Sequence, residues 1–358
     1  MLKKRISALR EKLSENSLSA YLVTSYENYR YFSNFSGSNC TLIITRDKLF
    51  ALTDGRYDVQ IRSQADGFDI TVISRPMSEH VGEILKSLAP LEIGYETRSI
   101  TDFELRNIKS ASGDGVTFVP CRDFGSEIRA VKDEREIACI RRAAKIADEA
   151  FVNMCASLSK GMTERGAAAL LNYNMSLLGS EGAAFSTIAT SGLRGAMPHA
   201  EAENIEIPDN CLMTFDFGAM SGGYRSDITR TVHIRNPKKD LCDLWELVFE
   251  VQQKCLKEVK AGISCRDIDE LARELFAKEG MDKYFTHSLG HGVGLAVHES
   301  PTLSKRSDEA LCENMIVTIE PGLYIEGLGG VRIEDSIVVT KSGFEVLTHA
   351  PYRMNINF

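Results

Sequence analysis

Two stretches of the chain repeat one unusual device: a pair of apolar, strand-like runs, each holding a carboxylate, joined by a glycine-rich turn. In the first, Cys211–Phe217 (CLMTFDF) and residues 224–234 (YRSDITRTVHI) flank Gly218-Ala219-Met220-Ser221-Gly222-Gly223, and Asp216 and Asp227 lie in the two runs. In the second, residues 315–320 (MIVTIE) and 330–340 flank Glu326-Gly327-Leu328-Gly329-Gly330, and the carboxylates are Glu320 and Glu334. Runs of this kind around such a turn read as β-hairpins. Side chains alternate along a strand, so Thr318 and Glu320 share one face, and Arg332 and Glu334 share another. A carboxylate in an Ile/Val-rich strand is costly to bury without a partner. Beside a histidine, a metal ion is the obvious partner for two of them.

The flanking segments repeat as well. A helical pattern through Ile137, Ile140, Ala144, Ala147, Phe151 and Met154 leads to Gly161-Met162-Thr163 and a second helix ending near Gly179. A strand-like run, 185–190, and a loop with Met197-Pro198-His199 precede the first hairpin. After Pro237 the order recurs: a helix through Leu241, Leu244, Val248, Val251, Leu256 and Val259, then Gly262-Ile263-Ser264, a helix over 266–277, and a strand-like 287–298. Gly161 and Gly262 are 101 residues apart, Asp216 and Glu320 are 104, and Asp227 and Glu334 are 107. A near-constant offset predicts a duplicated unit. Its halves, related by a pseudo-two-fold axis, would bring the hairpins face to face and gather four carboxylates and His291.

The N-terminal third has a different pattern. Leu2, Ile6, Leu9 and Leu13 fit one face of an amphipathic helix, which gives no signal-peptide reading. Strand-like runs at 20–24, 40–44, 70–73 and 92–95 alternate with helical stretches at 58–64, 77–88 and 102–110, and Thr101 with Glu104 has capping-box spacing. We expect two domains, 1–124 and 125–358: an N-terminal α/β domain, then a catalytic domain with the internal repeat, α+β overall. The net charge of −8 excludes a nucleic-acid binder that works through phosphate contacts. No apolar run is long enough to span a membrane. Nine cysteines, an odd number without a C-x-x-C, point to a reducing, cytoplasmic setting.

Taken together, these residues resemble the creatinase/aminopeptidase P/prolidase family, the proline-specific branch of the pita-bread metallopeptidases. The resemblance rests on Phe215-Asp216-Phe217-Gly218, Ser226-Asp227-Ile228-Thr229-Arg230, residues 287–294 (HSLGHGVG), Val297-His298-Glu299, Ile319-Glu320-Pro321-Gly322 and residues 330–335 (GVRIED). Residues 28–37 (NYRYFSNFSG) and Thr53-Asp54-Gly55-Arg56-Tyr57 resemble the family's N-terminal, RNase H-like domain. The resemblance implies a two-metal centre. Asp227 and Glu334 would bridge both ions, Asp216 would hold one, and His291 and Glu320 the other. Hard oxygen donors with one imidazole suit manganese, cobalt, zinc or iron without choosing among them; manganese is the first expectation. Glu320 would also relay protons, His199 and His298 would face the substrate, and His287 and Arg332 would line the site. The implied activity is cleavage between a first residue and proline by a homodimeric Xaa-Pro aminopeptidase, with a dipeptide-restricted prolidase as the alternative and a non-catalytic peptide-binding module as a third reading.

The simpler alternative for Asp216, Asp227 and Glu334 is a pairing with Arg225, Arg230 or Arg332. Residues 290–294 (GHGVG) lack both the G-x-G-x-x-G and Walker patterns, so they do not read as a nucleotide loop.

Overall fold

The computed structural model describes residues 2–358. The chain divides into two compact units, one ending at Arg129 and one running from Ala130 to Phe358.

The first unit is built from α1 (Leu2–Glu15), β1 (Ala20–Val23), α2 (Tyr26–Ser33), β2 (Thr41–Thr45), β3 (Leu49–Asp54), α3 (Asp58–Gln64), β4 (Asp69–Ile73), α4 (Met77–Ser87), β5 (Leu91–Glu96), α5 (Asp102–Ser112), β6 (Val116–Cys121) and α6 (Phe124–Ala130). Six strands form one sheet in the order β4-β3-β2-β1-β5-β6. The apolar face of α1 buries Ile6, Leu9 and Leu13. Thr101 and Glu104 form the expected capping box on α5. Sequence patterning missed α2, β3, β6 and α6. The tyrosines and polar residues of α2 lack a clean apolar stripe, yet Tyr29, Tyr31 and Phe32 are buried.

The second unit shows the duplication element by element. Helices α7 (Glu134–Ser157) and α8 (Glu164–Leu177) in the first half correspond to α9 (Lys239–Glu258) and α10 (Cys265–Lys278) in the second. The second helix of each pair starts from a hydroxyl cap at the same repeat position. Thr163 Oγ1 accepts from Gly166 N, and Ser264 Oγ accepts from Arg266 N and Asp267 N. Each half has its own core. Ala147, Phe151, Leu171, Phe215 and Ile228 pack in the first; Val248, Leu256, Ile268, Val317 and Ile337 pack in the second. The Phe151 and Phe217 rings stack with centroids 5.3 Å apart, so truncating Phe151 should cost ~3–5 kcal/mol.

Each half also contributes a sheet. The first holds β7 (Ile188–Ser191), β8 (Cys211–Phe217) and β11 (Ile228–Ile234), with β19 (Asn355–Ile356) at the edge beside β11. The second holds β12 (Gly290–Gly292), β13 (Glu299–Leu303), β14 (Ile316–Ile319), β17 (Asp335–Val339) and β18 (Phe344–Val346). Neither carboxylate hairpin is continuous, contrary to the sequence reading. β8 pairs with β11, and beyond a break the tips β9 (Met220–Ser221) and β10 (Tyr224–Arg225) pair separately. β14 likewise pairs with β17, and β15 (Gly322–Ile325) with β16 (Gly329–Arg332). Backbones pass very close at the first break, where a Cβ on Gly218 would lie 1.9 Å from Ser226 O. The strand expected over 287–298 shrinks to Gly290–Gly292, because residues 293–298 turn away as a loop. No helix among the described residues is long and apolar enough to cross a membrane.

Candidate metal centre

The strand breaks decide where the carboxylates go. Asp227 lies between β10 and β11, Glu334 between β16 and β17, and Glu320 just past β14, while Asp216 sits near the end of β8. One carboxylate oxygen each from Asp216, Asp227 and Glu334 lies within 4.8 Å of the others. Asp216 Oδ1, Asp227 Oδ1 and Glu334 Oε1 are buried with no hydrogen-bond partner. Burial holds Asp227 and Glu334 well above the usual carboxylate range, and neighbouring carboxylates push in the same direction. Asp216 is also raised, chiefly by burial, with the Arg332 charge opposing.

His291 brings in the fourth carboxylate. Its Nε2 lies 3.2 Å from Glu320 Oε1 and 3.7 Å from Asp227 Oδ2. Its Nδ1 is 3.0 Å from Gly292 O, so Nδ1 keeps its proton and Nε2 faces the carboxylates, donating to Glu320 when protonated and offering a lone pair to a cation when neutral. Burial acts to raise the Glu320 pKa, but the His291 hydrogen bond and the charges of His291, His287 and Arg332 together hold it down to about 2. Thr318 Oγ1 donates to Glu320 Oε1 at 3.0 Å and accepts from His291 N at 3.0 Å, fixing the two relative to each other.

This donor set fits divalent cations. Three buried anionic oxygens without donors are expensive unless a cation meets them. The arginine alternative accounts for only part of the charge. Arg332 Nη2 donates to Asp216 Oδ2 at 2.7 Å. Arg230 instead pairs with Asp335 at 2.8 Å, and Arg225 donates to the carbonyls of Leu295 and Ala184.

Around the carboxylates runs a second layer of hydrogen bonds. Arg332 Nη1 donates to Tyr324 OH at 2.8 Å and to Pro198 O at 3.3 Å, and Nε donates to Thr229 Oγ1 at 3.2 Å. Tyr324 OH lies 2.9 Å from His287 Nε2, and His287 Nδ1 lies 2.8 Å from Ser288 O. An arginine can only donate, so the tyrosine proton points to His287 Nε2 and the ring is neutral with its proton on Nδ1. Burial, the largest influence, also lowers the His287 pKa. Tyr324 was missed in the sequence. The alternation Thr318, Glu320, Gly322, Tyr324 is the signal that could have found it.

The other two candidate histidines are exposed. The His298 ring packs edge to face on His291, with centroids 4.3 Å apart. His199 follows a 3-10 turn, Gly192–Ala196. Burial first, and then the neighbouring His291 charge, lower the pKa of His298. The structure thus groups Asp216, Asp227, Glu334, Glu320 and His291, joins His287 and Arg332 through Tyr324, and places His298 against His291.

Residues 138–341 match metallopeptidase family M24 and residues 5–131 match the creatinase/prolidase N-terminal domain. The chain belongs to metallopeptidase family M24. It is 34% identical over 354 residues to an Xaa-Pro dipeptidase of Pyrococcus horikoshii, covering 97% of each chain. A solved Xaa-Pro dipeptidase from Bacillus anthracis superposes with a TM-score of 0.95 at 35% identity, covering 100% of both chains. An X-Pro aminopeptidase from Thermotoga maritima MSB8 superposes with a TM-score of 0.87 at 36% identity, covering 96% of this chain and 98% of that one. The fold is therefore a creatinase-type N-terminal domain followed by the pita-bread domain of M24, and the protein is a metallopeptidase. Membership of M24 implies divalent metal ions, in keeping with the carboxylate cluster.

Proposed function

We propose that this M24 peptidase is an Xaa-Pro dipeptidase that works with two divalent ions, manganese first among them. The observation that carries the metal reading is the set of three buried carboxylate oxygens with no hydrogen-bond donor. The dipeptide reading rests on full-length relatives named Xaa-Pro dipeptidases, and it replaces the aminopeptidase reading as the better supported of the two. Asp227 and Glu334 would bridge the ions, Asp216 would hold one, and His291 with Glu320 the other. Bound there, divalent ions supply a hydroxide-like nucleophile near neutral pH and polarise the scissile carbonyl.

The chain's own residues do the rest. Glu320 takes a proton from the attacking water and passes it to the leaving nitrogen. That transfer matters because the leaving nitrogen is proline's own ring nitrogen, a tertiary amide with no N–H in the substrate. His298 and His199 donate to the developing oxyanion and bound the space for the ring. The neutral His287, fixed by Tyr324, lines the same space and leaves Arg332 free to neutralise Asp216. The carboxylates receive the free substrate amine, so a blocked N-terminus is rejected. Nine free thiols fit a cytoplasmic setting, and a homodimer is the working assembly.

The deciding experiment compares Ala-Pro, Ala-Ala and an Ala-Pro tripeptide on protein loaded with manganese, cobalt or zinc. Ala-Pro should exceed Ala-Ala in kcat/KM by roughly tenfold or more, about 1.4 kcal/mol. Equal rates on Ala-Ala would end the proline reading, and a tripeptide cleaved as well as Ala-Pro would restore the aminopeptidase.

A further inference from the structure

Lys132 and Glu299 lie 167 residues apart, yet Nζ and Oε2 meet at 3.3 Å, and each side chain is 1% exposed. Burying two charges is costly, and an apolar pair of similar size is often equally stable. What the pair holds in place is therefore more informative than its energy. Lys132 is anchored on its own side. Its N–H donates to Asn314 O at 2.9 Å, and Val131 bridges to Met315, just before the strand that leads to Glu320. Its Nζ also donates to Ala130 O at 3.2 Å.

Glu299 follows His298 directly. Its Oε1 accepts from Ala296 N at 3.1 Å. Gly294 makes room for the carboxylate, since a Cβ there would lie 2.3 Å from Glu299 Oε2. The remaining loop groups are held from the opposite side. Arg225 N donates to Gly294 O at 2.9 Å, Arg225 Nε donates to Leu295 O at 3.0 Å, and Val293 N donates to Ile316 O at 3.1 Å. The loop that ends in exposed His298 is thus pinned between the tip of the first hairpin, a strand of the second, and the buried ion pair.

We propose that Lys132 and Glu299 are positioning residues for His298, holding its ring against His291 where the substrate carbonyl arrives. This rests on the reading of His298 as a substrate-facing histidine. The pair itself touches no reacting atom and acts through the loop it fixes.

Three variants of the full chain test it. Glu299→Gln keeps an acceptor for Ala296 N but removes the charge; Lys132→Arg keeps the charge; His298→Ala removes the positioned ring. With manganese and Ala-Pro, Glu299→Gln should keep its metal content and cooperative melting yet lose roughly tenfold or more in kcat, with a smaller change in KM. In a His298→Ala background the same change should cost little further, because both act through one ring. Lys132→Arg should retain most of the activity. A readout independent of activity uses zinc-loaded protein labelled with 15N-histidine. The His298 ring signals, assigned by their loss in His298→Ala, should shift in Glu299→Gln and stay in place in Lys132→Arg. Additive losses with unshifted His298 signals would overturn the proposal. If His298→Ala leaves the rate unchanged, the substrate role of His298 fails, and the ring signals alone decide the positioning. If Glu299→Gln and the paired Lys132→Met/Glu299→Gln variant both unfold, the ion pair is purely structural and the proposal falls.

Discussion

Thr229 and Glu334 stand 105 residues apart, and Thr229 Oγ1 donates to Glu334 Oε2 at 2.6 Å. The contact joins a strand of the first half to the strand break of the second. Glu334 N donates to Thr229 O at 3.1 Å beside it, and Arg332 N donates to Thr231 Oγ1 at 3.2 Å. Arg230 adds a bond to Glu334 O and an ion pair to Asp335. One oxygen of Glu334 is thereby committed to the partner half, and the other, Oε1, is left without a donor. The carboxylate cluster is accordingly a property of the seam between the two halves.

This gives a prediction for Thr229→Val. The change removes the donor that orients Glu334 while keeping the side-chain volume. Divalent-metal affinity should fall by ~10–100-fold, the usual effect of losing a partner of a metal ligand. Stability should drop by about 1–3 kcal/mol, since a buried acceptor loses its bond. Metal competition titration and thermal melts would measure both, and an unchanged metal affinity would remove Thr229 from the orienting role.

Asp227→Asn tests the bridging role. Asp227 lies 3.7 Å from His291 and within the carboxylate cluster, and the proposed function has it hold both ions. The folded variant should lose both ions by elemental analysis, and with them its activity. Retention of one equivalent would make Asp227 a ligand of a single ion.

For Glu320→Gln the expectation is kinetic. An amide cannot accept the proton that the leaving nitrogen needs, so kcat should fall by ~10²–10⁴. The variant should fold, because Thr318 can still donate to the amide oxygen where it now donates to Glu320 Oε1 at 3.0 Å. Near-normal kcat in a folded variant would remove Glu320 from the proton relay.

The sequence revealed the repeat and the convergence of its carboxylates because both are local signals read twice: apolar alternation around a turn, and an offset held from Gly161 and Gly262 to Asp227 and Glu334. It missed what depends on distant pairs. Tyr324 alternates in phase with Thr318 and Glu320, but its partner His287 lies 37 residues away, and Lys132 reaches Glu299 across 167, so neither pairing leaves a periodic trace. The hairpin breaks were hidden for a related reason. Asp227 and Glu334 sit between strands that each look continuous with their neighbours, and only the pairing registers reveal the interruption. The expected strand over 287–298 is cut to Gly290–Gly292 because the apolar residues beyond Val293 fill a loop, whose bonds go to Arg225 and Glu299 and not to a ladder.

The last prediction concerns pH in the metal-free protein. Burial raises the pKa of Asp216, Asp227 and Glu334 above the ordinary carboxylate value. An unfolded carboxylate titrates near pH ~4. A group raised in the folded state contributes stability that is complete below that pH and is lost as pH rises through the folded pKa. His291, also raised because its bond to Glu320 outweighs burial, loses its contribution in the same direction. Glu320, held down to about 2, runs the other way, and its contribution is lost only as pH falls toward that value. Between roughly pH 5 and 8 the raised groups therefore dominate. Chelated protein should lose stability as pH rises, each unit of raised pKa being worth about 1.4 kcal/mol. A bound divalent ion takes the place of those protons, so metal should stabilise more at higher pH. Melting curves with chelator and with saturating manganese at several pH values would show the gap in Tm widening with pH. A gap that stays constant or narrows would mean that these carboxylates are not where the metal binds.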